Sequence, residues 1–165
     1  MNARVTIVNR HPCLRPAHRP QERLAQKVFA GERKRGAADI ILAGSGLLRT
    51  LSRRYRKKDK ITDVLSFPFG AEGRPDASGF WGEIYINLDL VRSEAKQNKI
   101  TMKEALALRV VHGLLHLFGF GHEDNDQMTT MAKRESRYLK AAGFSIGSWG
   151  AAGKDVRPGP AAGKR

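Results

Sequence analysis

The sequence predicts one mixed domain in which a mostly parallel four-stranded sheet, with a single odd strand, packs against about five helices. Strand-like and helical segments alternate along most of the chain, and that alternation demands crossover connections between parallel strands. The length of 165 residues, with 41% hydrophobic content, suffices for one buried core and is short for two. The stretch from Thr101 to Gly119 is apolar on nearly every side. Such a helix belongs at the centre of a fold.

"RVTIVN" (Arg4 to Asn9) is alternating and β-branched, and the neighbourhood of Pro12 and Pro16 closes it as a first strand. From Gln21, "QERLAQKVFAGERKRG" sets Leu24, Val28 and Phe29 on one helical face and is expected to stop at Gly36. "ADIILAG" (Ala38 to Gly44) reads as a short buried strand. "SGLLRTLSRRYRKKDK" (Ser45 to Lys60) then reads as one helix, with Leu47, Leu48, Leu51 and Tyr55 inward and the other face almost wholly basic. "ITDVLSFPFG" (Ile61 to Gly70) opens on a turn at Thr62 and Asp63 and reaches Pro68, which cannot donate to a ladder. That strand belongs at a sheet edge or bends.

After the loop "AEGRPDASGF", "WGEIYIN" (Trp81 to Asn87) is a further strand and "LDLVRSEAKQN" a short helix. Thr101 with Glu104 three residues on forms a capping box that opens the central helix. Gly119 and Gly121 end it and let the chain turn back. "QMTTMAKRESRYLKAAG" is a last helix, stopping at Gly143. Residues 145–165 are rich in Gly, Ala, Pro and basic residues, so the expectation is a single domain at 1–144 followed by a disordered basic tail.

Thirty basic residues against 16 acidic ones give a formal charge of +14 and a pI near 10.5. Such an excess points to a polyanionic partner, most often nucleic acid. No apolar run approaches the roughly eighteen residues of a spanning helix, which argues against a membrane protein. Cys13 is the only cysteine, so no intrachain disulfide can form, and a reduced, cytoplasmic setting is expected. The opening "MNARVTIVNRHPC" lacks an apolar core segment and reads as a strand instead of a targeting signal.

Three of the five histidines lie in "VVHGLLHLFGFGHED", at His112, His116 and His122. Residues four apart share a helical face, so His112 and His116 can aim at one ion, and the turn at Gly119 to Gly121 can return His122 beneath them. Three imidazoles with an open fourth position describe a catalytic zinc site, since structural sites are usually closed by four ligands. Gly113 stands where the zinc-peptidase helix keeps its glutamate base. Glycine within a helix costs about 1 kcal/mol relative to alanine, so something needs the space it leaves. An ion can still lower the pKa of water to about 7 and polarise a phosphoryl oxygen, which favours phosphodiester over peptide cleavage.

The sequence here resembles the YbeY-type single-strand-specific metallo-endoribonucleases, in three segments taken in order: "YRKKDKITDVLSFPFG", "GEIYIN" and "HGLLHLFGFGH". Met131 and Glu135 also fall where that family keeps a Met and a Glu, and the likeness runs from about Leu48 to Phe144. It implies an α+β fold with a metzincin-like sheet and central helix, and one zinc ion held by His112, His116 and His122. It further implies maturation of ribosomal RNA, especially the 3′ end of small-subunit 16S rRNA, ribosome quality control, and a functional role for Arg56. The small ribosomal subunit and ribosome-assembly proteins would be partners. One departure is Gly121, where the family has Asp before the third histidine; Glu123 and Asp124 are the nearby carboxylates that could replace its support.

Arg49, Arg53, Arg54, Arg56, Lys57, Lys58 and Lys60 crowd one helix and its exit, and beside a nuclease-like metal motif they read as binding RNA phosphates. Arg56 is assigned to catalysis, because a guanidinium can grip a scissile phosphate and steady charge in the transition state. Asp63 is a secondary candidate to orient Arg56 or a ligand histidine. Ser66 and Phe67 could line a substrate groove, though Phe67 is more easily read as core. His11 and His18 receive no metal role. The alternatives are a metzincin-like metallopeptidase and a ribosome-assembly factor with a structural zinc.

Overall fold

The computed structural model describes residues 2–144, so the predicted tail at 145–165 lies outside the described residues. In chain order the elements are β1 (Arg4–Asn9), α1 (Arg19–Gly31), β2 (Ala37–Ala43), α2 (Ser45–Arg56), β3 (Val64–Pro68), β4 (Phe80–Asn87), α3 (Leu88–Asn98), α4 (Met102–Leu117) and α5 (Asn125–Ala141). The sheet order is β1-β2-β4-β3, with β1, β2 and β4 parallel and β3 antiparallel to β4 at one edge. This is the expected α+β arrangement of four strands and five helices. Pro68 ends the edge strand, where its missing N–H leaves no ladder bond unmade.

One face of the sheet carries the main core. Ile7, Ile40, Ile84 and Ile86 meet Val28 and Phe29 of α1 and Leu106, Val110 and Leu114 of α4. The Thr101–Glu104 capping box is formed on both sides, so α4 starts where the sequence places it. Gly113 has a steric cause: a Cβ there would lie 2.6 Å from Ile84 Cγ2 and 3.4 Å from Val64 Cγ1. The space is taken by the sheet. Overpacking of this kind costs about 1–3 kcal/mol, which exceeds the roughly 1 kcal/mol that alanine returns in helix propensity. Gly113→Ala is therefore expected to lower the denaturant midpoint with an unchanged slope; an unchanged or higher midpoint would show that Ile84 yields freely.

Two helix ends differ from the sequence reading. α1 stops at Gly31, short of Gly36, because Arg33 turns into the left-handed region (φ 55°) and Lys34 N–H bonds back to Phe29 O at 2.8 Å. "ERKRG" offers the core no apolar side chain to hold a further turn. α2 stops at Arg56, with Lys57 left-handed (φ 52°), so Lys57, Lys58 and Lys60 stand in the exit loop and not on the helix. Tyr55 is not inward either: it is 58% exposed. Leu48, a full two turns earlier, is buried against Ala43 and Leu65, but β3 is the edge strand of the sheet and offers Tyr55 only the ring of Phe67, at 5.4 Å.

The core also holds an ionic cluster that the sequence reading lacked. Arg109 of α4, 3% exposed, lies 3.1 Å from Asp63 Oδ2 and 2.5 Å from Glu94 Oε2. Asp63 thus turns its carboxylate to Arg109, and not to Arg56 or a histidine, while its backbone oxygen accepts from Asn87 N–H at 2.8 Å. Burial raises the Glu94 carboxyl above its ordinary range despite the neighbouring guanidinium.

Candidate active site

The C-terminal turn of α4 stacks His112 and His116 on one face. The chain leaves at Phe118 and reverses at Gly119, whose left-handed φ of 93° suits glycine alone; a Cβ there would also sit 3.1 Å from Gly73 Cα. Gly121, the other expected turn glycine, has no left-handed backbone. The reversal returns His122, and one nitrogen of each of the three rings lies within 4.8 Å of the others. His112 and His116 are half-buried and His122 is exposed.

Glu135 of α5 fixes the first ring. Its Oε1 lies 2.5 Å from His112 Nδ1, which assigns the ring proton to that nitrogen and leaves the lone pair of Nε2, 2.9 Å from His116 Nε2, available as a metal ligand. His116 is pushed down to about 3, first by burial and then by His112, His122 and Arg56, so it is a neutral imidazole at physiological pH. Three convergent imidazole nitrogens, one of them on a ring held neutral, fit a divalent metal ion, which requires deprotonated ligands. Replacing Glu135 with Gln is expected to weaken metal binding by about 10- to 100-fold, read by competition with a coloured chelator. Undiminished affinity would mean that Glu135 does not orient His112.

The histidines lie along a groove of about 620 Å³ whose other walls include Arg56, Lys58, Lys60, Val64 and Ser66. Arg56 Nη2 reaches Ser66 O at 3.5 Å, and Ser66 Oγ donates to Gly113 O at 3.2 Å, tying the edge strand to α4. Arg49 and Arg53 are engaged elsewhere, clamping Asp59 at 2.7 and 3.0 Å. Their hydrogen bonds, Arg49's first, hold the Asp59 carboxyl at about 2. Arg54 lies over the Tyr55 ring, 5.4 Å from its centroid, and neither Arg54 nor Lys57 lines the groove. The basic run therefore divides: Arg56, Lys58 and Lys60 share the groove with the histidines, and the rest stand outside it. No helix among the described residues is long and apolar enough to cross a membrane.

Residues 18–143 match the family described as Endoribonuclease YbeY. The chain belongs to the Endoribonuclease YbeY family. It is 33% identical over 141 residues to the Endoribonuclease YbeY of Anaeromyxobacter dehalogenans (strain 2CP-C), covering 85% of this chain and 72% of that protein. It is 35% identical over 142 residues to that of Anaeromyxobacter sp. (strain Fw109-5), with the same coverage. The solution structure of TM1509 from Thermotoga maritima shares the fold, with a TM-score of 0.61 at 24% identity over 99% of both chains.

Within this YbeY-family chain the Gly121 departure is met in an unexpected way. Neither neighbouring carboxylate reaches a histidine through a hydrogen bond seen among the described residues: Asp124 caps α5, accepting from Gln127 N–H at 2.8 Å, and Glu123 is exposed. The Gln127 side chain holds the loop instead. Its Oε1 accepts from Glu123 N–H at 3.0 Å and would sit 2.7 Å from a Cβ at position 121. No spacing in the sequence signals Gln127, and Glu135 was legible only through the family resemblance. His11 is a buried structural residue, Nε2 on Asp89 at 2.8 Å and Nδ1 accepting from Leu14 N–H at 2.9 Å.

Proposed function

We propose that this YbeY-family chain is a zinc-dependent endoribonuclease that cuts single-stranded RNA in the cytoplasm and matures ribosomal RNA, at the 3′ end of small-subunit 16S rRNA. Ribosome quality control, with the small subunit and assembly proteins as partners, belongs to the same reading. The observation that carries it is the convergence of three imidazoles in a groove whose wall also presents Arg56, Lys58 and Lys60. The names of the relatives support its endoribonuclease part.

His112, His116 and His122 would hold one Zn²⁺, an ion suited to nitrogen donors. When bound, the ion supplies Lewis acidity toward a phosphoryl oxygen and makes water a stronger acid. Glu135 keeps the His112 donor turned toward the groove. Arg56 grips the scissile phosphate and offsets the charge that builds on its oxygens, while Lys58 and Lys60 hold neighbouring phosphates. Arg49, Arg53, Arg54 and Lys57 add to the positive field outside the groove. The peptidase alternative asks for a carboxylate where Gly113 packs against Ile84, and a purely structural ion would not need to face a groove.

Arg56→Glu is expected to lower the cleavage rate of a labelled single-stranded RNA by about 100- to 1,000-fold, in line with the loss of one transition-state donor. Cleavage at the unsubstituted rate would remove Arg56 from the mechanism.

A further inference from the structure

We infer that Tyr55 is a platform on which a base of the single-stranded RNA stacks just outside the groove, and that this stack gives the site its preference for single strands. The inference rests on the nuclease reading above. Tyr55 is among the few large apolar side chains exposed on the described surface, at 58%, and it stands on the basic helix directly beside Arg56 of the groove wall. Helical spacing from Leu48 assigns it to the inner face of α2, yet the sheet ends before it can be covered.

The exposed Arg54 guanidinium lies over the Tyr55 ring, 5.4 Å from the centroid, as a group that an incoming base displaces or stacks with. The ring is exposed and also held in place. It meets Phe67 edge to face at 5.4 Å and 71°, and Phe67 meets Tyr85 in turn at 5.7 Å and 87°. Tyr85 donates its hydroxyl to Glu83 at 3.0 Å, which anchors the ladder to β4. Tyr55 is thus the outer rung of three rings fixed to the sheet. A braced ring loses little freedom when a base settles on it, and every base has a face to offer.

The charge around it selects the occupant. Asp59 pairs with both Arg49 and Arg53 and offsets one of their two charges, but the ion pairs among the described residues include none of Arg54, Arg56, Lys57, Lys58 or Lys60. A fixed aromatic face among such cations suits a strand with phosphates and unstacked bases. Duplex RNA keeps its base faces covered and has no use for the ring. An acidic protein segment would gain from the cations and would not depend on a ring that stacks bases.

The test is fluorescence anisotropy with the full chain in a His116→Ala background, so that bound RNA stays intact. The probes are a labelled single strand of roughly twelve nucleotides, within the range of single-strand sites, and the same sequence as a duplex. Tyr55→Ala is expected to weaken single-strand binding by about 5- to 100-fold. Duplex affinity and the salt dependence of binding stay unchanged, because no charge is removed. Tyr55→Trp should restore the single-strand affinity. Equal losses for single strand and duplex, or no loss at all, would overturn the inference and leave the nuclease reading standing; the second result would favour a protein partner for this face. Failure of the parent chain to bind single-stranded RNA would remove both.

Discussion

His116→Ala is expected to abolish stoichiometric metal binding and to lower cleavage of single-stranded RNA by about a thousandfold, while the circular dichroism of the chain stays that of a folded protein. The magnitude corresponds to losing about 4 kcal/mol of transition-state stabilisation, a modest share for an ion that meets developing phosphoryl charge. Burial and its two histidine neighbours hold His116 neutral. Its removal leaves His112 and His122, one on α4 and one on an exposed loop, which cannot hold an ion with the same affinity. Its side chain has a hydrogen bond to the Phe120 backbone and no role in the apolar core, so the fold survives its loss. Retention of both metal and activity would place the site elsewhere.

Arg109→Met is expected to destabilise the fold by about 3–5 kcal/mol, because it strips the cation from two carboxylates that stay buried. Asp63 and Glu94 are both largely withdrawn from water and lie against the Arg109 side chain. For a chain of this size the loss corresponds to a fall in Tm of roughly 6–20 °C. The damage should reach the groove, since Asp63 lines it and anchors the start of β3 through Asn87. Replacing Asp63 and Glu94 by apolar residues in the same variant should recover much of the stability, because a buried ion cluster replaced as a whole is often neutral. A Tm within a degree or two of the unsubstituted chain would mean that water reaches the cluster. Thermal unfolding followed by circular dichroism decides it.

Much of the architecture could be read from residue pattern because the signals were local. Alternating β-branched residues mark β1 and β4, Pro68 marks the edge strand, and the Thr101–Glu104 pair marks the start of α4. His112 and His116 declare a site through helical periodicity alone, and His122 through the glycine reversal. Where the reading failed, the deciding fact was a neighbour distant in sequence. Nothing in "SRRYRKKDK" shows that α2 ends at Arg56, since each residue after it tolerates a helix; the chain closes there with Lys57 left-handed and Lys58 N–H on Ser52 O, and Asp59 pairs back to Arg49 and Arg53. Periodicity placed Tyr55 inward, and no pattern tells how far a sheet extends beneath a helix.

The basic run looked uniform in sequence for the same reason. Linear spacing weighs Arg49 and Arg56 alike, whereas Asp59 occupies one and the groove receives the other. Gly113 makes space, and the beneficiary is Ile84 on the sheet. Arg109 stands inside an apolar helix. An arginine among leucines and valines is itself a signal, because a buried cation demands buried partners.

The most direct test is a zinc titration of the metal-free full chain, with cleavage of a labelled single-stranded RNA measured at each addition. No cleavage is expected without metal, followed by a rise that saturates at one ion per chain, and no rise in His116→Ala. Undiminished cleavage by the metal-free chain, or saturation at one ion in His116→Ala, would contradict this expectation.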